Sequence, residues 1–412
     1  MSLLEHVMQR PLSRRLRGVA SSLPTTPPSA AVALPAGGLE LLILQPSPFC
    51  NLDCDYCYLP DRDSRQRMAP DVLDQVMRQV AASGLIGAEL GIAWHAGEPT
   101  AVPRDWYEAA FDTVKRHLGA TRVTHHFQTN AVLIDPAWCD FFARHQVRIG
   151  VSLDGPASLH DLHRRTRRGH GTHARVMAGI AQLKAAGLPF HVIAVLTRDA
   201  LDRPDALVDF FAALGADQLG FNVEEIEAAN THSSLGWKGA ADDTAGALRS
   251  FWLRVLERLD TDARELRVRE IASVTGALRD PRYGQYAGSM QNQIGRMLTV
   301  AHDGGYTFWS PELLGAVHPR RGTVVLGNLA RDPAPWQHLA EAARWQREID
   351  DGVQQCRERC RYFDLCLGGA PANKLSERGS MAVTETLACR LGQQVMIDAV
   401  LEGLGRRLHR IT

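Results

Sequence analysis

Three cysteines fall within eight residues near the start of the chain. Cys50, Cys54 and Cys57 have the spacing C-x3-C-x2-C. Three thiolates can ligate three irons of a [4Fe–4S] cluster and leave the fourth iron open, and catalytic metal sites keep such an open position for a reactant. A zinc site or three buried thiols is the alternative. Structural zinc takes four ligands, so that alternative requires Cys139 or a histidine as well.

A second cysteine group lies near the other end. Cys356, Cys360, Cys366 and Cys389 supply four thiolates, which is a complete set for a closed iron–sulfur cluster or for structural zinc. Both metals remain open at this point. The eighth cysteine, Cys139, stands alone in a helix-like segment, and we expect an ordinary buried thiol there.

Composition excludes several classes of protein. The 412 residues carry 46 basic and 46 acidic side chains, so the net charge gives no support to a nucleic-acid partner, which usually leaves a basic footprint, and we expect none. No apolar run approaches the roughly 20 residues that span a bilayer, and the first residues lack the apolar core of a secretory signal. We expect a cytoplasmic protein without a membrane partner. In such a chain, tight cysteine groups indicate metal rather than disulfides.

Short apolar runs alternate with helix-like segments from residue 40 onward, which predicts an α/β fold with parallel strands. Six such units favour a partial (β/α)6 barrel, whose reactive residues gather at the C-terminal ends of the strands. The predicted strands are Leu41–Leu44, Leu90–Trp94, His125–Gln128, Arg148–Leu153, His191–Leu196 and Gln218–Val223. The predicted helices are Pro70–Ser83, Arg104–Leu118, Pro136–His145, Thr172–Ala186 and Pro204–Leu214.

The pattern changes at both ends of this region. Residues 21–38 are rich in Pro, Ala and Ser, so we interpret residues 1–38 as an arm or linker. The barrel is predicted over 39–235 and a helical connector, with a helix at Ala240–Leu259, over 236–295. Residues 296–412 are predicted to form a small C-terminal domain with a hairpin at Met297–Leu314 and a last helix at Leu391–Leu404.

The first cysteine group resembles the signature of the radical S-adenosylmethionine (SAM) superfamily, C-x3-C-x-aromatic-C, with Tyr56 as the aromatic residue. The resemblance implies that the open iron binds the amino and carboxylate groups of SAM. An electron, delivered by a donor such as flavodoxin or ferredoxin, would cleave SAM to methionine and a 5′-deoxyadenosyl radical. The protein then positions and shields the cofactor chemistry.

Later segments resemble further motifs of the superfamily. His95-Ala-Gly97-Glu98-Pro99 is similar to its Gly-Gly-Glu-Pro motif, with Ala96 in place of the first glycine. The resemblance implies that Gly97 and Glu98 face the SAM ammonium, where backbone groups and a carboxylate accept charge-assisted hydrogen bonds.

Three other residues have roles implied by the same resemblance. Ser152 would face the SAM ribose, and Arg164 would pair with the SAM carboxylate, as guanidinium geometry allows. A solvated basic stretch is the alternative for Arg164, because Arg165, Arg167 and Arg168 are close in sequence. Leu196 would contact adenine, and an ordinary core leucine is the alternative.

The segment from Cys360 to Gly369 resembles the SPASM domain, a C-terminal extension of peptide-modifying radical SAM enzymes that commonly holds two auxiliary [4Fe–4S] clusters. Here only the set for the distal cluster is present. Trp309 or Ser310 stands where the hairpin of the nearer cluster would bring a cysteine, and Gly369 stands where a third is expected. We therefore expect a SPASM-like domain with one auxiliary [4Fe–4S] cluster.

Three segments, 219–227, 366–374 and 384–389, resemble cyclophane-forming radical SAM/SPASM maturases paired with glycine-rich precursor peptides. The similarity runs from about residue 40 to 405. It implies an oxidoreductase that joins a side-chain β-carbon to an aromatic ring in a ribosomally made precursor peptide. Restoring the aromatic ring releases a proton and an electron, so a base is required, and the auxiliary cluster is a candidate electron acceptor.

Acidic residues after the sixth predicted strand are the candidate bases. Glu224, Glu225 and Glu227 lie at the expected barrel mouth, and we favour Glu224, with Glu225 and Asp154 as further candidates. The alternative for the glutamates is the acidic first turn of a helix. Two other functions remain open: an anaerobic sulfatase-maturing enzyme that oxidises Ser or Cys to formylglycine, and a zinc-stabilised binding protein.

Overall fold

The computed structural model describes residues 38–236, 241–261, 263, 265–280, 289–332 and 339–411. The predicted arm lies outside these residues except for Gly38. The strands are β1 Leu39–Leu44, β2 Ile86–Trp94, β3 Arg122–Thr129, β4 Arg148–Ser152, β5 Phe190–Leu196, β6 Gln218–Val223, β7 Met297–Val300, β8 Gly305–Thr307, β9 Val317–His318, β10 Gly322–Thr323 and β11 Gly327–Asn328.

Helices follow most of the strands. They are α1 Pro70–Ala82, α2 Arg104–Leu118, α3 Pro136–Arg144, α4 Ala157–His163, α5 His173–Ala185, α6 Arg198–Leu201, α7 Pro204–Leu214, α8 Ala241–Thr261, α9 Arg269–Arg279, α10 Leu339–Arg359, α11 Phe363–Cys366, α12 Pro371–Arg378, α13 Leu387–Cys389 and α14 Met396–Ile411. A π-helix, Arg390–Val395, joins α13 to α14. Among the described residues, no helix is both long and apolar enough to cross a membrane.

Strands β1 to β6 are parallel and neighbour one another in sequence order, which confirms the predicted α/β class. Their burial shows which face carries the core. In β5 every second side chain, from Phe190 to Leu196, is buried, and the intervening ones are half-buried, as expected for a strand whose side chains alternate between two faces. The outer face packs against the helices, and the inner face carries polar side chains such as Gln128 and His191, which approach Gly150.

Helix α1 shows why the helical segments form where they do. Pro70 occupies its first turn, where the missing N–H costs nothing and the fixed φ suits a helix. Leu73, Val76, Met77 and Val80 recur at helical spacing and are buried, which is the pattern of an apolar stripe facing the core. Each such side chain contributes about 1.5–3 kcal/mol on burial, so Val76→Asp is the kind of change that would detach this helix.

The C-terminal region continues the same sheet. Strand β7 pairs with β1 in parallel, from Leu41 opposite Met297 to Leu44 opposite Val300, and β8 pairs with β7 in antiparallel. The predicted hairpin is thus confirmed, and it ends in a 3-10 turn at Pro311–Leu314. Because β7 belongs to the nine-stranded sheet, hydrogen bonding crosses the predicted boundary between the barrel and the C-terminal domain.

Candidate cluster and cofactor sites

The first cysteine group lies in the loop after β1, and arginines hold its backbone. Arg62 Nη1 donates to the carbonyl of Cys54 at 2.8 Å. Arg167 donates to the carbonyl of Cys50 through Nε at 3.2 Å and Nη2 at 3.1 Å. The carbonyl of Arg62 in turn accepts from the Cys50 N–H at 2.9 Å. These contacts fix the loop on the same edge of the sheet as the other motifs.

The environment of these thiols fits a metal cluster. All three are free of disulfides. Burial raises the pKa of the Cys50 and Cys54 thiols to about 12, and only a strong local positive charge, such as bound iron, ionises a thiol in such a place. The Leu52 N–H also donates to Cys50 Sγ at 3.4 Å. Across the described residues, no three His, Cys, Asp or Glu side chains converge on one metal ion; each thiolate of a [4Fe–4S] cluster binds a separate iron.

The turn at Gly97 packs directly under the cysteine loop. Glu98 N donates to the carbonyl of Phe49 at 2.8 Å. Gly97 has φ of +57°, and a Cβ there would lie 2.3 Å from that same carbonyl oxygen and 2.7 Å from the carbonyl oxygen of Ser47. Glycine is therefore required at this position for both conformation and space.

Glu98 is buried at the ends of two neighbouring strands. Its side chain is only 2% exposed. One carboxylate oxygen accepts from the N–H (2.9 Å) and hydroxyl (2.5 Å) of Thr100 and from the Thr129 hydroxyl (2.6 Å), and the other accepts from Asn130 N at 2.7 Å. The carboxylate thus braces the ends of β2 and β3. Both oxygens already accept from protein donors, and the backbone carbonyls of the turn are further acceptors for an ammonium.

Tyr56, Asp154 and Arg164 form one buried network. The Tyr56 hydroxyl donates to Asp154 Oδ2, Arg164 Nε donates to the same oxygen at 2.9 Å, and Val195 N donates to Oδ1 at 2.9 Å. The guanidinium lies 5.4 Å from the centre of the Tyr56 ring. Arg164 is 8% exposed, so the alternative of a solvated basic stretch is wrong for this residue.

The charge on Asp154 is set by this network. Burial acts to raise its pKa, but the Arg164 charge and the hydrogen bonds from Arg164 and Tyr56 outweigh it, and the pKa of Asp154 is lowered. A carboxylate with a lowered pKa and three protein donors is a poor proton acceptor. These contacts disfavour Asp154 as a base, and its carboxylate holds the Arg164 side chain in place.

The other two predicted SAM contacts lie at neighbouring strand ends. Ser152 Oγ accepts from Gln128 Nε2 at 3.0 Å. Leu196 is buried in the core cluster, which matches the alternative of an ordinary core leucine. Two polar residues at the end of β3 were missed: Gln128, and Asn130, whose Nδ2 donates to Asn51 Oδ1 at 2.8 Å beside Cys50. Their position at the C-terminal end of a parallel strand was the signal.

The acidic residues after β6 divide into two roles. Glu224 accepts from the N–H of Ser234 at 2.7 Å and from its hydroxyl, so it holds the following turn. Glu227 is buried and accepts from Asn373 Nδ2 at 2.7 Å. Burial, followed by the charge of Glu312, raises the pKa of Glu225 to about 7. Burial and then the charge of Glu225 raise the pKa of Glu227 well above its usual value.

Glu312 and Asn373 were not predicted, and both come from the C-terminal region. Burial also raises the pKa of Glu312. A group of mutually repelling carboxylates therefore lies where the end of the barrel meets the C-terminal hairpin and α12. Like charges so placed cannot all ionise, so the group retains a proton near neutral pH.

The four C-terminal cysteines come together from separate elements of the C-terminal region. Cys356 is at the end of α10, Cys366 ends α11, and Cys389 ends α13. After Cys366 the chain turns through three left-handed residues, Leu367 to Gly369. Burial, and then the charges of the other three cysteines, raise the pKa of Cys366 to about 11, as expected for thiols that share one site.

Three further positions bear on the number of auxiliary clusters. Cys139 is buried within α3, which confirms an ordinary buried thiol. Trp309 and Ser310, where a ligand of the nearer auxiliary cluster was expected, are buried. With seven cysteines in two groups and Cys139 apart, the chain has no further thiols for a second auxiliary cluster.

Three features of this parallel sheet define the class of SAM-cleaving iron–sulfur enzymes. They are three thiols after the first strand, a glycine turn after the second and a buried arginine network after the fourth. The model of the radical SAM superfamily matches residues 44–211. The chain is 38% identical over 381 residues to an uncharacterized protein of Synechocystis sp., covering 90% of this chain and 94% of that one. The chain belongs to the radical SAM superfamily, whose cofactors are SAM and a [4Fe–4S] cluster.

Other similarities are partial or concern the fold. A serine-type anaerobic sulfatase-maturating enzyme of Klebsiella aerogenes is 31% identical over 224 residues, 53% of this chain and 55% of that enzyme. The structure of native anSMEcpe with bound AdoMet and the Cp18Cys peptide has a TM-score of 0.68 at 20% identity, covering 90% of this chain and 99% of the other. Streptococcus suis SuiB bound to the precursor peptide SuiA has a TM-score of 0.60 at 16% identity, with 85% and 76% covered.

Proposed function

We propose that this chain uses a 5′-deoxyadenosyl radical to form a carbon–carbon cross-link, a cyclophane, between an aromatic ring and a side-chain β-carbon of a ribosomally made precursor peptide. The observation that carries the proposal is the pairing of two acceptors at one end of the barrel. The Glu225–Glu227 pair is poised to accept a proton, and α12 connects this pair to the four-cysteine site, a candidate electron acceptor.

The residues that hold the cofactors have separate tasks in this proposal. Cys50, Cys54 and Cys57 would ligate the cluster that supplies the radical from SAM. Arg164, held at Nε by Asp154, would direct its other N–H groups to the SAM carboxylate. Ser152 stays the proposed ribose contact. Cys356, Cys360, Cys366 and Cys389 would ligate one auxiliary [4Fe–4S] cluster.

The balance of the reaction requires both acceptors. The adenosyl radical takes one hydrogen atom from the β-carbon, and that carbon bonds to a ring carbon. The ring carbon then loses its hydrogen as a proton and an electron, so the peptide loses two hydrogens per cross-link. We assign the proton to Glu225, because a base with a pKa of about 7 is suited to work at neutral pH. Glu224 is less suited, since its carboxylate already holds Ser234.

A cleft of about 560 Å³ is the proposed entrance for the peptide. It lies between Tyr58–Pro60, which follow the third cysteine, and the turn that contains Glu312. Gln45 lines it, and its buried Nε2 has no hydrogen-bond partner. A turn of this side chain toward the cleft would let a peptide carbonyl provide that partner, since buried donors are almost always satisfied.

Sulfatase maturation is the second candidate, and the similarity to the Klebsiella aerogenes enzyme favours it. Oxidation of Ser to formylglycine also removes two hydrogens, so the loss of mass alone cannot separate the two functions. An aldehyde reacts with a hydrazide probe, whereas a cyclophane does not. A cyclophane instead suppresses backbone fragmentation between the two joined residues.

The test is co-expression of the chain with a precursor peptide encoded by a neighbouring gene, followed by tandem mass spectrometry. We expect a loss of two hydrogens per cross-link, no reaction with the hydrazide, and missing fragments within the ring. A hydrazide-reactive product would favour sulfatase-type oxidation. An unmodified peptide with normal SAM cleavage would exclude that peptide as substrate.

Iron and sulfide analysis separates both enzymes from the zinc-stabilised binding protein. Two [4Fe–4S] clusters require about eight irons per chain. About four irons with one zinc would show that the C-terminal cysteines bind zinc. Zinc without iron would contradict the proposal that the chain is an enzyme. The electron donor and the cytoplasmic location stay predictions.

A further inference from the structure

Lys374 is a buried lysine inside the C-terminal cysteine site. Its side chain is 3% exposed, and Nζ donates to Cys356 Sγ at 3.8 Å. Gly352 of α10 leaves the space: a Cβ at that position would lie 3.1 Å from Nζ and 2.2 Å from the Met381 carbonyl oxygen. The fold thus admits this long charged side chain at the cost of a glycine within a helix.

The ammonium group needs a negative partner at this depth, because a buried, unpaired charge is strongly destabilising. In the described part of the chain, no carboxylate forms an ion pair with Lys374; burial lowers the pKa of its ammonium group, and the charges of Cys356, Cys389 and Cys366 act against that shift. Neutral thiols would leave the ammonium unpaired. Thiolates that ligate a metal carry the negative charge that balances it.

The neighbouring residue connects this site to the carboxylates. Asn373 and Lys374 are consecutive in α12, and Asn373 donates to Glu227 whereas Lys374 donates to Cys356. One short helix therefore contacts both Glu227, the neighbour of the proposed proton acceptor Glu225, and the proposed electron acceptor. Substitution of Asn373 removes only the contact with Glu227, and substitution of Lys374 removes only the contact with Cys356, so the two variants form a matched pair.

We propose that Lys374 is a positioning residue of the auxiliary cluster, whose ammonium beside Cys356 raises the reduction potential and so favours acceptance of the electron released from the peptide. The proposal rests on the proposed function, because it takes the four cysteines to hold a [4Fe–4S] cluster. Reduction adds one negative charge, which a nearby cation stabilises, and net charge and hydrogen bonds to sulfur set the potentials of such clusters.

The test is a redox titration of the full chain, followed by electron paramagnetic resonance. Substituting Cys50, Cys54 and Cys57 with alanine first removes the signal of the other cluster. In that background we compare Lys374→Met, Lys374→Gln and Lys374→Arg, with Asn373→Ala as the control on the same helix. At the midpoint potential of the parent, we expect Lys374→Met and Lys374→Gln to lower the reduced-to-oxidised ratio of the cluster about tenfold, which is about 59 mV for one electron. The midpoint potentials of Lys374→Arg and Asn373→Ala should stay near that of the parent.

Each outcome bears on one idea. Neutral variants with full iron content and an unchanged midpoint would overturn the role of Lys374. If the neutral variants bind no iron but Lys374→Arg does, the charge is needed to hold the cluster, which supports the role; if Arg fails as well, the role is refuted. A parent without iron or signal would instead contradict the auxiliary cluster, and with it that part of the proposed function.

Discussion

Arg164 Nε lies 2.9 Å from Asp154 Oδ2, and both side chains are buried. Tyr56 of the cysteine loop donates to the same oxygen. The pair therefore joins the segment after β4 to the loop after β1, and the guanidinium is in place before any ligand arrives. Such preorganisation reduces the cost of binding a carboxylate.

The Asp154→Asn variant tests this pair. It leaves the Arg164 charge buried without a partner, so we expect a loss of about 3–5 kcal/mol in the free energy of unfolding and weaker SAM binding. Urea denaturation and calorimetric titration with SAM measure the two effects. Glu89→Gln is the control, because the exposed pair of Glu89 with Arg122 should contribute about 1 kcal/mol or less. Equal stability of the two variants would refute the role of Asp154.

The turn under the cysteine loop gives a second prediction. In Gly97→Ala the new Cβ meets the Phe49 carbonyl at 2.3 Å, so the loop must move and iron binding at the first site should be lost. Gly84→Ala is the matched control, since Gly84 also has a left-handed φ, +72°, but has no atom within 4 Å of the added Cβ. We expect the control to cost about 1–2 kcal/mol from its conformation alone and to keep its iron. Iron analysis and thermal unfolding measure the two effects. Equal iron loss in Gly97→Ala and Gly84→Ala would contradict the idea that close packing under the cysteine loop requires glycine at position 97.

Much of the fold was predictable because its signals are local. The predicted strand Gln218–Val223 and helix Arg104–Leu118 match the structure at both ends, since an apolar period and a nearby proline or glycine fix such elements. The cysteine groups were predictable from spacing alone. The joining of β7 to β1 was not, because pairing between strands more than 250 residues apart leaves no local pattern.

The exact tasks of polar residues were also not predictable. Glu98 and Asp154 are in the expected motifs, but their roles depend on donors from other strands, Thr129 and Val195. Lys374 similarly has a role only because α12 brings it to Cys356. Sequence motifs indicate where a site lies, and packing between distant segments decides which atoms remain free for chemistry.

The C-terminal cysteines give a third prediction. Substituting Cys356, Cys360 and Cys366 together with alanine should reduce the iron content from about eight to about four per chain, which is one cluster's share. SAM cleavage should continue, because the first site has its own three cysteines in the loop after β1, while cross-linking should be lost with the electron acceptor. Iron analysis, 5′-deoxyadenosine release and peptide mass spectrometry test the three parts. Continued cross-linking would show that the electron leaves by another route.

The last prediction concerns pH and Glu225. A base with a pKa of about 7 is protonated below that value, so the cross-linking rate should rise as pH increases through about 7 when SAM cleavage is not limiting. Glu225→Gln should lower the rate by about 10²–10⁴-fold, the usual contribution of a general base, and remove this rise. Glu224→Gln is the control, with a matched change of charge at the carboxylate that holds Ser234, and should keep the pH profile.

Stability should depend on pH in the opposite direction. Because the folded-state pKa of Glu225 is raised above its unfolded value, the fold favours the protonated carboxyl, and this contribution is fully present below the unfolded pKa and declines as pH rises through about 7. Glu225→Gln cannot ionise, so its free energy of unfolding should fall less than that of the parent as pH rises from 4.5, the ordinary pKa, to about 7. Urea denaturation across this range measures the difference. A parallel decline in both proteins, together with an unchanged rate profile, would show that Glu225 neither titrates in this range nor accepts the proton, and the role would then pass to Glu227.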